Sequence, residues 1–137
     1  MLFTVQKGLV VMAVVDSEIL RHTETMRLPV AELARQLVSH LGPTVVAVLA
    51  GVRDRKLPHK WASDHGPTPR NSSVQRLQVA HRAWAAVATA EGEEIARSWF
   101  IGANPRLDEK PPFVAINDGD FKPVMSAAAA FVDGTDN

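Results

Sequence analysis

The chain has 137 residues, 46% of them hydrophobic and 22% charged, with 15 basic and 15 acidic side chains and no cysteine. This length suits one compact domain, or two small halves sharing a core, and the composition excludes a disordered or membrane-embedded chain. Without cysteine there is no disulfide framework, thiolate metal site or thiol nucleophile, which fits a reducing cytoplasm.

Before Met26 the sequence is ambiguous. The valine-rich run Leu9 to Val15 could pair as a strand, add to a helix or swap onto a neighbouring copy. As a signal peptide it is too short, has only Lys7 in front of it and meets Asp16 where a small-residue cleavage site belongs, so a cytoplasmic location is expected. Met12 and Met26 could also serve as alternative starts, a choice the residues leave open.

After residue 26 no stretch alternates like a half-buried strand, and helical spacing predicts an all-α chain. Val30, Leu33, Ala34, Leu37 and Val38 recur at i, i+3, i+4, with Pro29 suited to a first turn and Gly42 to a left-handed stop. Pro43 opens a second helix over Val45 to Leu49, ended by Gly51. A third helical segment is predicted over about Leu57 to Ser63, finishing at Gly66. Beyond Pro67-Thr68-Pro69-Arg70, Ser72 or Ser73 is suited to cap a long helix with Leu77, Ala80, Trp84, Val87 and Ala88 inward. Glu91-Gly92 interrupts it. Ile95, Ala96, Trp99 and Phe100 form the inner face of a further helix, Asn104-Pro105 turns the chain, and Pro111-Pro112 bars helix until Phe113 to Ile116 form about one turn. Asp120 is placed to cap a last helix with Phe121, Val124, Met125, Ala128, Phe131 and Val132 inside, ended by Gly134, with a fraying tail.

The balanced net charge hides an asymmetry. Residues 51 to 76 carry 6 basic and 2 acidic groups, whereas residues 91 to 137 carry 4 basic and 9 acidic ones. The contrast fits two different partners, a dipolar molecule that stacks on itself, or simply two solvated faces.

Helix, turn and basic helix over Leu41 to Trp61 have the outline of a helix-turn-helix, in which a bracing helix and a sharp turn present a second helix to the DNA groove. Arg53, Arg55, Lys56, His59 and Lys60 are the candidate DNA-contacting residues: arginine can pair with guanine or phosphate, and lysine mostly neutralises phosphate. Leu57 and Trp61, four apart, can anchor the opposite face. Pro58 breaks the pattern and is tolerable only in a first turn, so the helix has to start near Leu57 and sit short in the groove. A helical scaffold with a solvated basic corner is the alternative reading.

In the second half, RLQVAHRAWAAVATAEGEEIARSWFIGANPRL and PPFVAINDGDFKPVMSAAAAFVDG follow one another as a long helix, a Trp-Phe helix, an Asn-Pro turn, a short helix, an Asp-Gly break and a last helix. This order resembles the C-terminal half of the Xre/MbcA/ParS-type antitoxins, clearest over Arg76 to Gly134, while the helix-turn-helix half matches less tightly. The resemblance implies a helix-turn-helix-like bundle joined to a small helical toxin-binding-type half. It divides the chain into an N-terminal extension (1–26), a helix-turn-helix-like region (27–70) and a C-terminal region (71–137). It further implies that double-stranded DNA and a RES-domain, NAD-consuming toxin are partners, that the last residues obstruct the toxin, and that the complex represses its own operon. The partner-binding candidates are Arg106, Asp108, Glu109 and Lys110, loop charges with no core role, together with Phe131, Val132 and Asp133 at the end of the last helix. A homodimer or higher oligomer is expected, because one short recognition helix buries too little surface for tight specific binding.

No catalytic residue is proposed. The histidines at 22, 40, 59, 65 and 81 show no helix-face metal spacing with a carboxylate nearby, Glu91, Glu93 and Glu94 suit a helix start, and there is no glycine-rich phosphate loop. No metal and no cofactor are expected.

Overall fold

The computed structural model describes residues 28–134, so the apolar run Leu9–Val15, the candidate starts Met12 and Met26, and the tail Thr135–Asn137 lie outside it. The order is α1 (Val30–Leu41), α2 (Pro43–Ala50), α3 (Leu57–Trp61), α4 (Asn71–Glu91), α5 (Glu93–Ile101), a 3-10 turn (Pro105–Leu107), α6 (Pro112–Asn117) and α7 (Phe121–Asp133), with no strand among the described residues. The fold is all-α.

Two of the corners are single glycines. Gly42 ends α1 and begins α2 with φ 84° and ψ 157°, and Gly92 does the same between α4 and α5 with φ 97° and ψ 163°. This region of the backbone map is essentially closed to any side chain. The expected left-handed stop at Gly42 is therefore corrected: one extended, positive-φ residue lets the next helix start at once, where a left-handed residue would wind the chain back. Gly51 is a left-handed stop, φ 85° and ψ 26°, with the N–H groups of Gly51 and Val52 donating to the carbonyls of Val48 and Ala47 at 3.0 Å each.

The long helix α4 is the axis of the molecule and packs against α1, α2, α5, α6 and α7. Buried residues lie on more than one side of it, including Leu77, Val79, Ala80, Ala83, Trp84 and Val87. One hydrophobic cluster runs from Leu33 and Leu37 of α1 through Val46 and Leu49 of α2 to Phe100, Ile116 and Val124, so the two halves share a core. At its centre Trp84 stacks on His40, with ring centroids 4.4 Å apart and planes 14° from parallel, and meets Phe100 at 6.1 Å. Burial holds the His40 imidazole below its ordinary pKa, with Glu93 partly offsetting the effect.

Three local expectations change. Neither Ser72 nor Ser73 caps α4, which starts at Asn71; Ser73 is buried instead, and its hydroxyl donates to the Ala50 carbonyl at 2.8 Å, satisfying the open end of α2. Asp120 precedes α7 without a side-chain cap, because its carboxylate accepts from Lys110. Ile95 is 43% exposed, since Ala96, Trp99 and Phe100 already fill the face that α5 turns inward.

Candidate nucleic-acid and partner surfaces

The basic segment is shaped by Asp54, a residue whose type and spacing gave no hint of that task. Its carbonyl accepts from Leu57 N–H at 3.0 Å and its carboxylate accepts from Lys56 N–H at 2.9 Å. This side-chain-closed turn places Arg55 and Lys56 at the tip of the connection and starts α3 at Leu57. Pro58 thus falls in the first turn of α3, where its missing N–H leaves no helix bond unmade. It is fully buried, and with Trp61 it fixes α3 to the core, while Leu57 is half-buried. Arg35 of α1 holds the far end of α3: one guanidinium nitrogen donates to the Ala62 carbonyl at 2.7 Å and to Asp64 at 3.3 Å, and another pairs with Glu32.

With the apolar side of α3 committed, Arg53, Arg55, Lys56, His59 and Lys60 are all exposed. None of their side chains has an ion-pair or hydrogen-bond partner among the described residues. The geometry departs from a standard helix-turn-helix. Six residues, Gly51 to Lys56, separate α2 from α3, where three or four are usual, and α3 has five residues. The cations therefore sit as much on the connection as on the helix. Arg53 and Arg55 line an open cleft of about 450 Å³ together with Thr44, Val48, Val52 and Asn117. Asn117 comes from α6, in the other half of the chain, and its carbonyl is held by Arg76 Nε at 3.2 Å. Sequence spacing could not place it there, because α2 and α6 meet only through the tertiary fold.

The second set of candidates divides. Arg106, Asp108 and Glu109 are exposed on a loop organised by the buried Asn104, whose side chain accepts from Arg106 N–H at 2.9 Å and whose carbonyl accepts from Leu107 and Glu109. Asp108 and Glu109 take positive φ, 56° and 67°. Lys110 differs: its ammonium donates to Asp118 at 2.9 Å and Asp120 at 3.0 Å, locking the loop to the start of α7. The two hydrogen bonds hold its pKa above the ordinary lysine range. Lys110 lies outside the core, as expected of a loop charge, and these ion pairs give it a task in holding the loop. Phe131 and Val132 are half-buried against the core, with Phe131 6.4 Å from Trp99 between ring centroids, and Asp133 is exposed. The DNA-contact and partner-contact candidates thus form two separate groups in the fold, one on the α2–α3 side and one around the Asn104 loop and the end of α7.

Among the described residues no group of three histidine or acidic side chains could hold a metal ion, and no helix is long and apolar enough to cross a membrane. Compared with protein-family models, characterised proteins and solved structures, the chain matches none of them.

Proposed function

We propose that the chain is an antitoxin-like DNA-binding transcriptional regulator that neutralises a RES-type, NAD-consuming toxin and represses its own operon. The observation that carries the DNA half is the exposed set Arg53, Arg55, Lys56, His59 and Lys60, without partners among the described residues and held by the Asp54 turn above the buried Pro58 and Trp61. Cations without partners among the described residues are available to displace counterions from phosphate. Asn117, across the cleft, supplies a carboxamide of the kind that reads adenine. The toxin half rests on the order of motifs from Arg76 to Gly134, which resembles the antitoxin family, and on the exposed Arg106, Asp108, Glu109 and Asp133. A homodimer supplies the second DNA half-site. The site acts in the cytoplasm, with no cofactor and no catalytic step of its own.

The short α3 and long α2–α3 connection favour a second reading, a protein-interaction module with a degenerate helix-turn-helix. A stand-alone regulator without a toxin is distinguished from the first reading by the adjacent gene. The direct test of the toxin half is NAD consumption by a RES-domain enzyme encoded beside this chain. Full-length protein is expected to abolish it, protein lacking residues 135–137 to inhibit less, and folded protein lacking residues 131–137 to fail. Full inhibition by the last variant would show that the tail is not the inhibitory segment.

A further inference from the structure

The fold brings arginines from two parts of the chain and one carboxamide to a single glycine. The open cleft of about 450 Å³ is lined by Arg53 and Arg55 of the α2–α3 connection and by Asn117 of α6. Gly51 lines it too, at φ 85°, and a Cβ there would lie 3.4 Å from Asn117 Oδ1 and 3.8 Å from the guanidinium carbon of Arg76. A side chain at this position would cover the carboxamide oxygen, and glycine leaves it bare. Arg76 donates through Nε to the Asn117 carbonyl and through Nη1 to the Ser72 carbonyl, each at 3.2 Å. It thereby fixes the end of α6 that carries the carboxamide. It also adds a positive charge that no carboxylate among the described residues pairs with.

No acidic side chain lines the cleft. The two that adjoin its lining residues in sequence are committed elsewhere: Asp54 accepts from Lys56 N–H, and Asp118 pairs with Lys110. A guanidinium fork matches the paired oxygens of a phosphate, and apolar walls concentrate the field of such charges. Those walls are Ala47, Val48 and Val52. The Asn117 side chain makes no hydrogen bond among the described residues, so its carbonyl acceptor and amide donor both remain for a ligand. A phosphate of the DNA backbone uses the cations but has no need of the apolar wall. Apolar lining with a few convergent polar groups, in a volume of about 300–1,000 Å³, is instead the pattern of small-molecule sites. Lys56, His59 and Lys60 are not part of the lining, so the five cations divide into a pair that serves the cleft and three that do not.

We infer that this cleft binds a small nucleotide, a nucleoside mono- or diphosphate, with its phosphate on Arg53 and Arg55, its base against Val48 and Val52, and the base edge paired with the Asn117 carboxamide. Such a site goes beyond the proposed DNA contact and stands without it. Its consequence rests on the DNA reading: free nucleotide and DNA call on the same Arg53, Arg55 and Asn117, so the nucleotide displaces DNA and relieves repression.

The test is calorimetric titration of the full-length chain, without divalent metal. The titrants are the 5′-mono- and diphosphates of adenosine, guanosine, cytidine and uridine, their nucleosides, and inorganic pyrophosphate. At least one nucleotide should bind at least about tenfold more tightly than its own nucleoside or pyrophosphate, because phosphate and base are both held. Arg53→Ala/Arg55→Ala should weaken that binding about ten- to hundredfold, as for charge-assisted hydrogen bonds removed. Both arginines are exposed and without partners among the described residues, so the variant should remain folded. Asn117→Leu should lessen the preference among bases. Lys56→Ala/Lys60→Ala should weaken duplex binding and leave nucleotide affinity within about twofold, since neither lysine lines the cleft. Added nucleotide should release bound duplex from the wild-type chain. Nucleotides that bind no better than pyrophosphate, or a base preference unchanged in Asn117→Leu, would overturn the site as plain attraction of anions. No binding of any nucleotide, or binding undiminished in Arg53→Ala/Arg55→Ala, would overturn it as well, and duplex binding by the same sample would show that the DNA reading survives. Nucleotide binding by a chain that binds no duplex would uphold the site and refute the DNA reading. A nucleotide that binds without releasing duplex would overturn the shared use of the two arginines.

Discussion

Replacing Trp84 by alanine tests whether the two halves are one cooperative unit. The indole is 4% exposed and lies between His40 of α1 and Phe100 of α5, so its removal opens a cavity where three helices meet. Large-to-small changes of this kind cost about 3–5 kcal/mol, a large share of a typical stability of about 5–15 kcal/mol. With a urea slope of about 2 kcal/mol per molar, the midpoint should fall by roughly 2 M with the slope unchanged. Trp61 on α3 and Trp99 on α5 remain as reporters, one in each half of the chain, and their joint fluorescence should follow the same transition as far-ultraviolet circular dichroism. The variants Trp84→Ala/Trp61→Phe and Trp84→Ala/Trp99→Phe then isolate each reporter. A loss below about 1 kcal/mol would refute the packing argument, and separate midpoints for the two reporters would refute the single core.

His40, whose folded pKa is lowered by burial, binds a proton less readily folded than unfolded; its contribution is therefore complete above the unfolded value near 6.5 and is lost as pH falls through that value toward the lower folded one, and His40→Gln should remove this part of the slope in urea midpoints measured across that range. Gly66→Ala places a Cβ on the Lys60 backbone carbonyl, which cannot swing aside as a side chain can, and should destabilise by about 1–3 kcal/mol while disturbing the end of α3, whereas an unchanged melting temperature would contradict the close approach. Glu109→Gly relieves a left-handed residue at φ 67° and should stabilise by up to about 1 kcal/mol in urea titration; a clear loss would mean that the Glu109 side chain is used in the fold.

Much of the helical frame was legible because periodicity and breakers act locally. Leu33 and Leu37, Leu77, Ala80, Trp84 and Val87, and Val124 and Ala128 occupy the faces their spacing assigns. The glycines at 42, 51, 92 and 134 end helices, although the extended conformation of Gly42 depends on how closely α2 follows α1. What the sequence hid was the choice among competing local and distant partners. Ser73 gives its hydroxyl to Ala50, twenty-three residues away, and Asp120 gives its carboxylate to Lys110, though each was also suited to a helix cap. Ile95 fits the inner helical period but loses the contest for the inner face to Ala96, Trp99 and Phe100. In the candidate DNA surface, the cationic residues could be read by type and spacing. That they lack partners among the described residues, that Asp54 builds their turn, and that Asn117 stands opposite them required the assembled fold.

The DNA-binding claim meets its most direct test in the salt dependence of duplex binding, measured by fluorescence anisotropy on DNA selected from a random pool, for wild type and for Arg55→Ala/Lys56→Ala. Both side chains are exposed and without partners among the described residues, so the double variant should remain folded. Wild type is expected to lose affinity steeply as salt rises. The double variant should bind more weakly, with a slope of log K against log salt flatter by about one unit for each phosphate that is no longer neutralised. Binding of the same DNA by the folded double variant with an unchanged slope would contradict the assignment of the Asp54 turn and α3 as the DNA-contacting surface.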